Sequence, residues 1–437
     1  MRIQRFALCT LVFFAGLWCT PMSSTQAADT IASTKPDALT LDEALDHASQ
    51  NRQEFASFRA DLGAAALKLK HASLPPNPEL GVEWNNLGGN LPAGDAKETK
   101  VSLNQRVEIG GKPSARENRG HAEIMQLQRQ QAMAWLDIVV EVRLAFLEVL
   151  NARERLTLQH ETAQIASELA GIAHEQVAAG KIAATEETRA EARKAETKAE
   201  IHKLNRLLAE AELNLAAVLV IPDRAAVTAK GRIPREVGIP DQQTLLAGMK
   251  NSPLLALRRS ETRLATTNLS LEQANTWGDP TLSLAVREVP DENARAVSIG
   301  VSIPLPLFQR NQTALAEAGA TASKATANEV VAARRLRTEL SKAHTVLVAA
   351  DQEARTLQNE VLSRATEAAE AVQEGFRVGK FRYSDVLEAS HALVAMKGRY
   401  LDVILDLNRA AITLDRLLGK PAVPENFTTT SYGRSNP

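Results

Sequence analysis

No proline interrupts the chain between Pro113 and Pro222, and none between Pro306 and Pro421. A proline inside a helix removes a backbone donor and costs about 3 kcal/mol, so two such tracts point to very long helices. Each tract carries one glycine–lysine pair, Gly180-Lys181 in the first and Gly379-Lys380 in the second. Each pair is read as a turn between a helix of about 65 residues and one of about 35, the longer running on the order of 100 Å. Around Leu136 to Leu150 the apolar stripe is wide enough to face neighbours on two sides.

The two tracts belong to a duplicated plan. Asn77-Pro78-Glu79-Leu80 returns as Asp279-Pro280-Thr281-Leu282, and Val101-Ser102-Leu103 as Val297-Ser298-Ile299. The second pair of motifs stands closer together, as if a hairpin loop were shortened. Each half should begin with a helix, near Leu41 to Leu74 and again near Gln242 to Asn275, followed by two strands and the helical tract. The expected organisation is a signal peptide over 1–27, a first repeat over 28–220, a connector over 221–240, a second repeat over 241–420 and a tail over 421–437.

Arg2 and Arg5, the apolar run Phe6 to Trp18 and the small-residue stretch before Ala28 have the form of a secretory signal peptide. Both cysteines, Cys9 and Cys19, fall within or just after that run, so cleavage after Ala27 removes them and with them any disulfide or thiolate chemistry. Trp18 is too large for a lipidation signal before Cys19. No later run is apolar enough for a transmembrane helix. A formal net charge of −1 argues against a nucleic-acid partner reached through a basic surface.

Four short segments alternate between apolar and polar residues. Leu80, Val82 and Trp84 form one set; Val101, Leu103, Val107 and Ile109 a second. Leu282, Leu284 and Val286 form a third; Val297, Ile299, Val301 and Ile303 a fourth. The pattern suits membrane strands with one face to lipid and one to a lumen, and equally a half-buried soluble sheet. Four strands cannot close a barrel, and lipid forbids open edges, so a membrane reading requires several copies of the chain.

The duplicated helix–hairpin–long-helix plan with paired Gly-Lys turns resembles the TolC-type outer-membrane efflux family over about residues 38 to 420. Three motifs are similar to its heavy-metal branch, typified by cobalt–zinc–cadmium exporters. They are Asn77-Pro78-Glu79-Leu80, Glu108-Ile109-Gly110-Gly111-Lys112, and the run from Pro304 to Gln312, PLPLFQRNQ. The resemblance implies a mainly α protein. Its long antiparallel helical barrel would be continuous with a twelve-stranded membrane β-barrel built by a homotrimer. It also implies an outer-membrane location with the helices in the periplasm. The implied partners are a periplasmic adaptor and an inner-membrane resistance-nodulation-division transporter, with this chain as the passive exit duct.

The resemblance carries an aperture-lining role to Glu186, Asp385 and Glu388, where rings of carboxylates would concentrate cations. Acids in the first turn of a helix also favour its dipole without any such role. The turn residues Gly180, Lys181, Gly379 and Lys380 match positions where adaptor tips dock in the family.

No histidine pair has the spacing of a zinc motif, and a duct needs weak binding so that ions leave. No resident metal or cofactor is expected. Gly110-Gly111-Lys112-Pro113 lacks the spacing of a phosphate loop, and no nucleophile elbow or dinucleotide fingerprint occurs, so nothing supports an enzyme. The readings left open are a duct for organic drugs or secreted protein, and a periplasmic coiled-coil scaffold.

Overall fold

The computed structural model describes residues 38–85, 98–221, 227–289 and 293–420. The expected signal segment and C-terminal tail lie outside the described residues. Helix α1 (Leu41–Asn51) starts on a capping box. The Thr40 hydroxyl accepts from the Glu43 N–H at 3.3 Å, and the Glu43 carboxylate accepts from the Thr40 N–H at 2.8 Å. Helix α2 (Glu54–Ala72), strands β1 (Glu79–Asn85) and β2 (Glu98–Arg106), and helices α3 (Lys112–Ala178) and α4 (Ala184–Val218) come next. The same order then recurs. Helices α5 (Gln242–Gly248) and α6 (Pro253–Ala274) lead to β3 (Thr281–Val289) and β4 (Ala294–Ser302). Helix α7 (Gln312–Thr356) passes through a π-helical turn (Leu357–Leu362) into α8 (Ser363–Arg377), and α9 (Tyr383–Leu418) ends the second half.

The leading helix, read from sequence as continuous, is broken in both halves. In the second half Pro253 opens α6, and Ser252 before it takes ψ 128°, because a residue preceding proline is pushed out of the helical region. In the first half Arg52 leaves the helix at ψ 118°, and its guanidinium bonds Glu54 and Glu141 instead.

Three pairs of matching positions take a left-handed residue, and the halves fill two of them differently. Before the long helices stand Gly111 (φ 75°) and Asn311 (φ 60°). Asn tolerates that region better than most residues, and Asn311 Nδ2 donates across to Glu272 Oε2 of α6 at 2.7 Å. At the ends of the halves stand Val220 (φ 56°) and Gly419 (φ 77°). The third pair, Gly180 and Gly379, is described with the helical turns.

The main core sits midway along the long helices. Trp135 to Leu150 of α3 pack with Leu336 and Leu347 of α7, Ile404 and Leu407 of α9, and Val227 to Ile233 of the connector. The connector is pinned to the start of the chain by Leu39 N–H to Thr228 O at 2.8 Å and Lys230 N–H to Leu39 O at 2.7 Å. Along the antiparallel pair α3 and α9, Asp137 meets Arg416, Glu148 meets Arg409, Arg155 meets Asp402 and Glu161 meets Lys397. With Arg143 facing Asp415 between the first two, the sign on α3 alternates along the seam; exposed pairs of this kind contribute little stability, but such alternation specifies register. Among the described residues no helix is long and apolar enough to cross a membrane.

The strands form one antiparallel sheet in the order β1-β2-β3-β4, so β1 and β4 are free edges. The pairing stops at Arg106 opposite Thr281, so Val107 and Ile109 lie just beyond β2, although the Val107 N–H still donates to Pro280 O at 2.9 Å.

Candidate functional site

The register sorts the sheet into two chemically distinct faces. One row runs Leu80, Leu103, Leu284, Ile299, and the next Val82, Val101, Val286, Val297. Every one of these side chains is exposed. The opposite face carries Gly81, Ser102, Ala285 and Ser298 in one row and Glu79, Asn104, Ser283 and Gly300 in another. Four of its charges are paired, Lys100 with Glu83 at 3.0 Å and Arg287 with Glu98 at 3.3 Å. A sheet with an exposed apolar face, a small-residue polar face and two open edges is suited to lipid on one side and water on the other.

Where the strands meet the long helices, the two halves are tied by a charged network that local sequence pattern does not reveal. Lys112 Nζ lies 2.6 Å from Asp279 Oδ1 and donates to the Trp277 carbonyl at 2.7 Å. The Ile109 N–H donates to the same Asp279 oxygen at 3.2 Å. Burial pushes the Asp279 carboxyl up, but the Lys112 and Ile109 bonds outweigh it and hold the group below its ordinary value. Beside it Arg116 grips Glu108 through two bonds of 2.5 and 2.7 Å and donates to the Ala72 carbonyl at 2.9 Å. The Arg116 bond lowers the Glu108 carboxyl against the opposing effect of burial. Gly110, at φ 74°, lies under Trp277; a Cβ there would stand 2.8 Å from the indole. The corner motif Glu108 to Lys112 thus serves contact between the halves. Its only trace in the sequence is a lysine at the strand-exit corner of one half and an aspartate at the strand-entry corner of the other.

The opposite end of the chain's helices carries the predicted turns. Gly180 (φ 68°) and Gly379 (φ 79°) both take the left-handed conformation. The Gly180 N–H bonds Val177 O at 2.9 Å and the Lys181 N–H bonds Gln176 O at 2.9 Å. The Gly379 N–H bonds Phe376 O at 3.0 Å and the Lys380 N–H bonds Gly375 O at 2.7 Å. These are the paired closing bonds of a glycine-terminated helix, made twice. Both lysines are exposed, and neither has an ion pair among the described residues.

The two turns come together around Phe376 and Tyr383, whose ring centroids are 5.8 Å apart, with Leu169, Ala173, Ala190 and Val386 about them. Gln176 Nε2 reaches Phe376 O at 3.4 Å, a link between the halves. Glu186 and Asp385 occupy the same position, third in α4 and third in α9. Asp385 Oδ2 accepts from the Arg382 N–H at 2.9 Å, closing that helix start. Glu186 Oε1 pairs with Arg189 at 3.0 Å, while its Oε2 is buried and unpartnered among the described residues. Glu388, one turn further along α9, is exposed and has no hydrogen bond among the described residues. Across the first turn His174 Nδ1 lies 2.6 Å from Glu187 Oε1, and that bond raises the imidazole above its ordinary value. Among the described residues no group of three His, Cys, Asp or Glu side chains could hold a metal ion.

Residues 44–219 and 254–420 match the protein family described as outer membrane efflux protein. The cobalt-zinc-cadmium resistance protein CzcC of Cupriavidus metallidurans is 32% identical over 385 residues, covering 87% of this chain and 90% of that protein. The nickel and cobalt resistance protein CnrC of the same organism is 23% identical over 304 residues, 69% of this chain and 70% of that one. Among solved structures, the Vibrio cholerae outer membrane protein VceC aligns with a TM-score of 0.72 at 19% identity, over 87% of this chain and 96% of VceC. CusC, described in relation to folding and transmembrane channel formation, aligns with a TM-score of 0.71 at 17% identity, over 86% of this chain and 91% of CusC.

Proposed function

The chain belongs to the outer membrane efflux protein family, and from that premise we propose that it is the outer-membrane exit duct of a tripartite pump for divalent metal cations. The single observation that carries the cargo is the near full-length likeness to a cobalt–zinc–cadmium resistance protein. Cobalt, zinc and cadmium are therefore the candidate ions, and nickel joins them through the weaker likeness to a nickel and cobalt resistance protein.

Three chains build the duct, each giving four strands, with β4 of one copy pairing β1 of the next so that no edge meets lipid. The apolar rows face the bilayer, and the serine- and glycine-rich rows line the water path. The helices continue the tube into the periplasm. At the tip, three copies each of Glu186, Asp385 and Glu388 ring the aperture and draw cations by their field. Gly180-Lys181 and Gly379-Lys380 present the surface to a periplasmic adaptor. An inner-membrane resistance-nodulation-division transporter supplies the energy, and the duct itself performs no chemistry.

The test is deletion of the gene, with growth then measured on cobalt, zinc, cadmium and nickel beside a panel of organic drugs. Selective metal sensitivity, reversed by the wild-type gene, is the expected outcome. Sensitivity to drugs alone would leave the architecture standing and overturn the cargo.

A further inference from the structure

The apolar rows on the four strands are too few to cross a bilayer core, and the chain supplies the remainder directly after β4. At one end the lipid-facing side stops at the row Trp84, Thr99, Glu288 and Arg295. Arg295 Nη2 lies 2.9 Å from Glu288 Oε1 there, and a charged pair at that depth marks the membrane boundary. Alternate residues advance about 6.8 Å along a strand, which is about 5 Å of height at a tilt near 40°. From Arg295 to Val301 this makes about 16 Å, against an apolar band of about 25 Å in such barrels.

Beyond the end of β4 the chain turns through the corner Ile303-Pro304-Leu305-Pro306-Leu307-Phe308. Leu305 is 73% exposed, Leu307 62% and Phe308 89%, a run of apolar side chains that ordinary surfaces do not carry. Pro304 and Pro306 have no N–H, so this stretch cannot prolong the β4 edge to pair with another copy. The Leu307 N–H bonds Leu305 O at 2.8 Å, a tight turn within the run, and Ile303 continues the alternation of Val297, Ile299 and Val301 past the end of β4. Arg310 comes next, exposed, with Nε on the Pro306 carbonyl at 3.2 Å.

We propose that Ile303 to Arg310 is the inner-leaflet anchor of the barrel. Leu305, Leu307 and Phe308 enter the boundary between acyl chains and headgroups, and Arg310 stands at the level of the phospholipid phosphates. The inference rests on the barrel lying in the outer membrane and is independent of the cargo.

The test uses the full trimer in vesicles of phosphatidylethanolamine and phosphatidylglycerol whose acyl chains carry bromine near the headgroup. In a chain that begins at Ala28, and so lacks Trp18, with Trp84→Phe and Trp277→Phe, the remaining Trp135 is buried in the helical core and gives a constant signal. Phe308→Trp and, as a control in the middle of β4, Ile299→Trp are compared. The expected result is that bromine near the headgroup at least halves the emission added by Phe308→Trp, and that bromine near the chain end quenches Ile299→Trp more. Quenching of Ile299→Trp without Phe308→Trp overturns the anchor and leaves the barrel intact. Quenching of neither overturns both. As a second measurement, Leu305→Ser with Phe308→Ser should weaken vesicle insertion while the detergent-purified trimer keeps its heat stability. Loss of the trimer instead would mean that another copy covers the corner, and the proposal would fall.

Discussion

Lys112 Nζ stands 2.6 Å from Asp279 Oδ1, joining the first turn of the longest helix to the strand entry of the other half. Both side chains are nearly buried, at 9% and 16% exposure. Attraction between two such charges offsets their desolvation only where further bonds complete them, and here the Trp277 carbonyl and the Ile109 N–H do so. The junction between strands and helices is thereby held from both repeats at once.

Lys112→Met should therefore cost roughly 3 kcal/mol, because it strands the Asp279 carboxylate in a buried site. Thermal unfolding monitored by circular dichroism reads the loss. Lys112→Met combined with Asp279→Leu should recover much of it; no recovery would mean that the two groups are not coupled.

Val220 holds φ 56° where the other half has Gly419 at φ 77°. A β-branched residue there is strained, by roughly 1–2 kcal/mol. Val220→Gly should raise thermal stability, or at least leave it unchanged, whereas Gly419→Val should lower it. A clear drop from Val220→Gly would contradict the strain.

The two faces of the sheet should respond oppositely to charge. Ile299→Arg places a cation on the apolar face and should cost about 2–4 kcal/mol. Ser298→Arg, one residue away on the polar face, should insert normally and alter single-channel conductance instead. Equal damage from both would refute the assignment of faces.

Glu388→Gln should reduce the preference for cations over anions in planar-bilayer recordings without changing stability, since Glu388 is exposed and makes no hydrogen bond among the described residues. Asp385→Asn should reduce selectivity as well and also cost about 1 kcal/mol, because its carboxylate closes the start of α9. Unchanged selectivity in both would remove them from the aperture.

The His174–Glu187 contact should depend on pH. The imidazole is raised above its ordinary 6.5 by the Glu187 bond, so the contact is fully present below 6.5 and is lost as pH rises through the higher value. Hydrogen exchange over residues 176–184 should quicken as pH climbs beyond 6.5, after correction for intrinsic rates. His174→Gln should abolish the dependence.

Much of the architecture was legible in local pattern. Proline-free tracts announced the long helices, because one proline would break them; α3 runs from Lys112 to Ala178 and α4 from Ala184 to Val218. Period-two alternation announced the strands, because successive side chains point to opposite faces. Gly180 and Gly379 announced the turns, because only glycine takes a left-handed conformation without strain. The recurrence of all three in order announced the duplication.

Distant relationships needed the folded chain. Nothing in the spacing of Lys112 and Asp279 says that they touch, since an ion pair depends on two corners meeting in space. The convergence of the turns on Phe376 and Tyr383 is likewise a product of how long helices pack, as is the pairing of Asp137 with Arg416 along their seam. Alternation named the apolar residues of each strand; only the register Leu80, Leu103, Leu284, Ile299 put them on one continuous face. Periodicity is written into neighbouring residues and survives in the sequence. Contact across the repeats is fixed by the path of the backbone, and only the tertiary structure holds it.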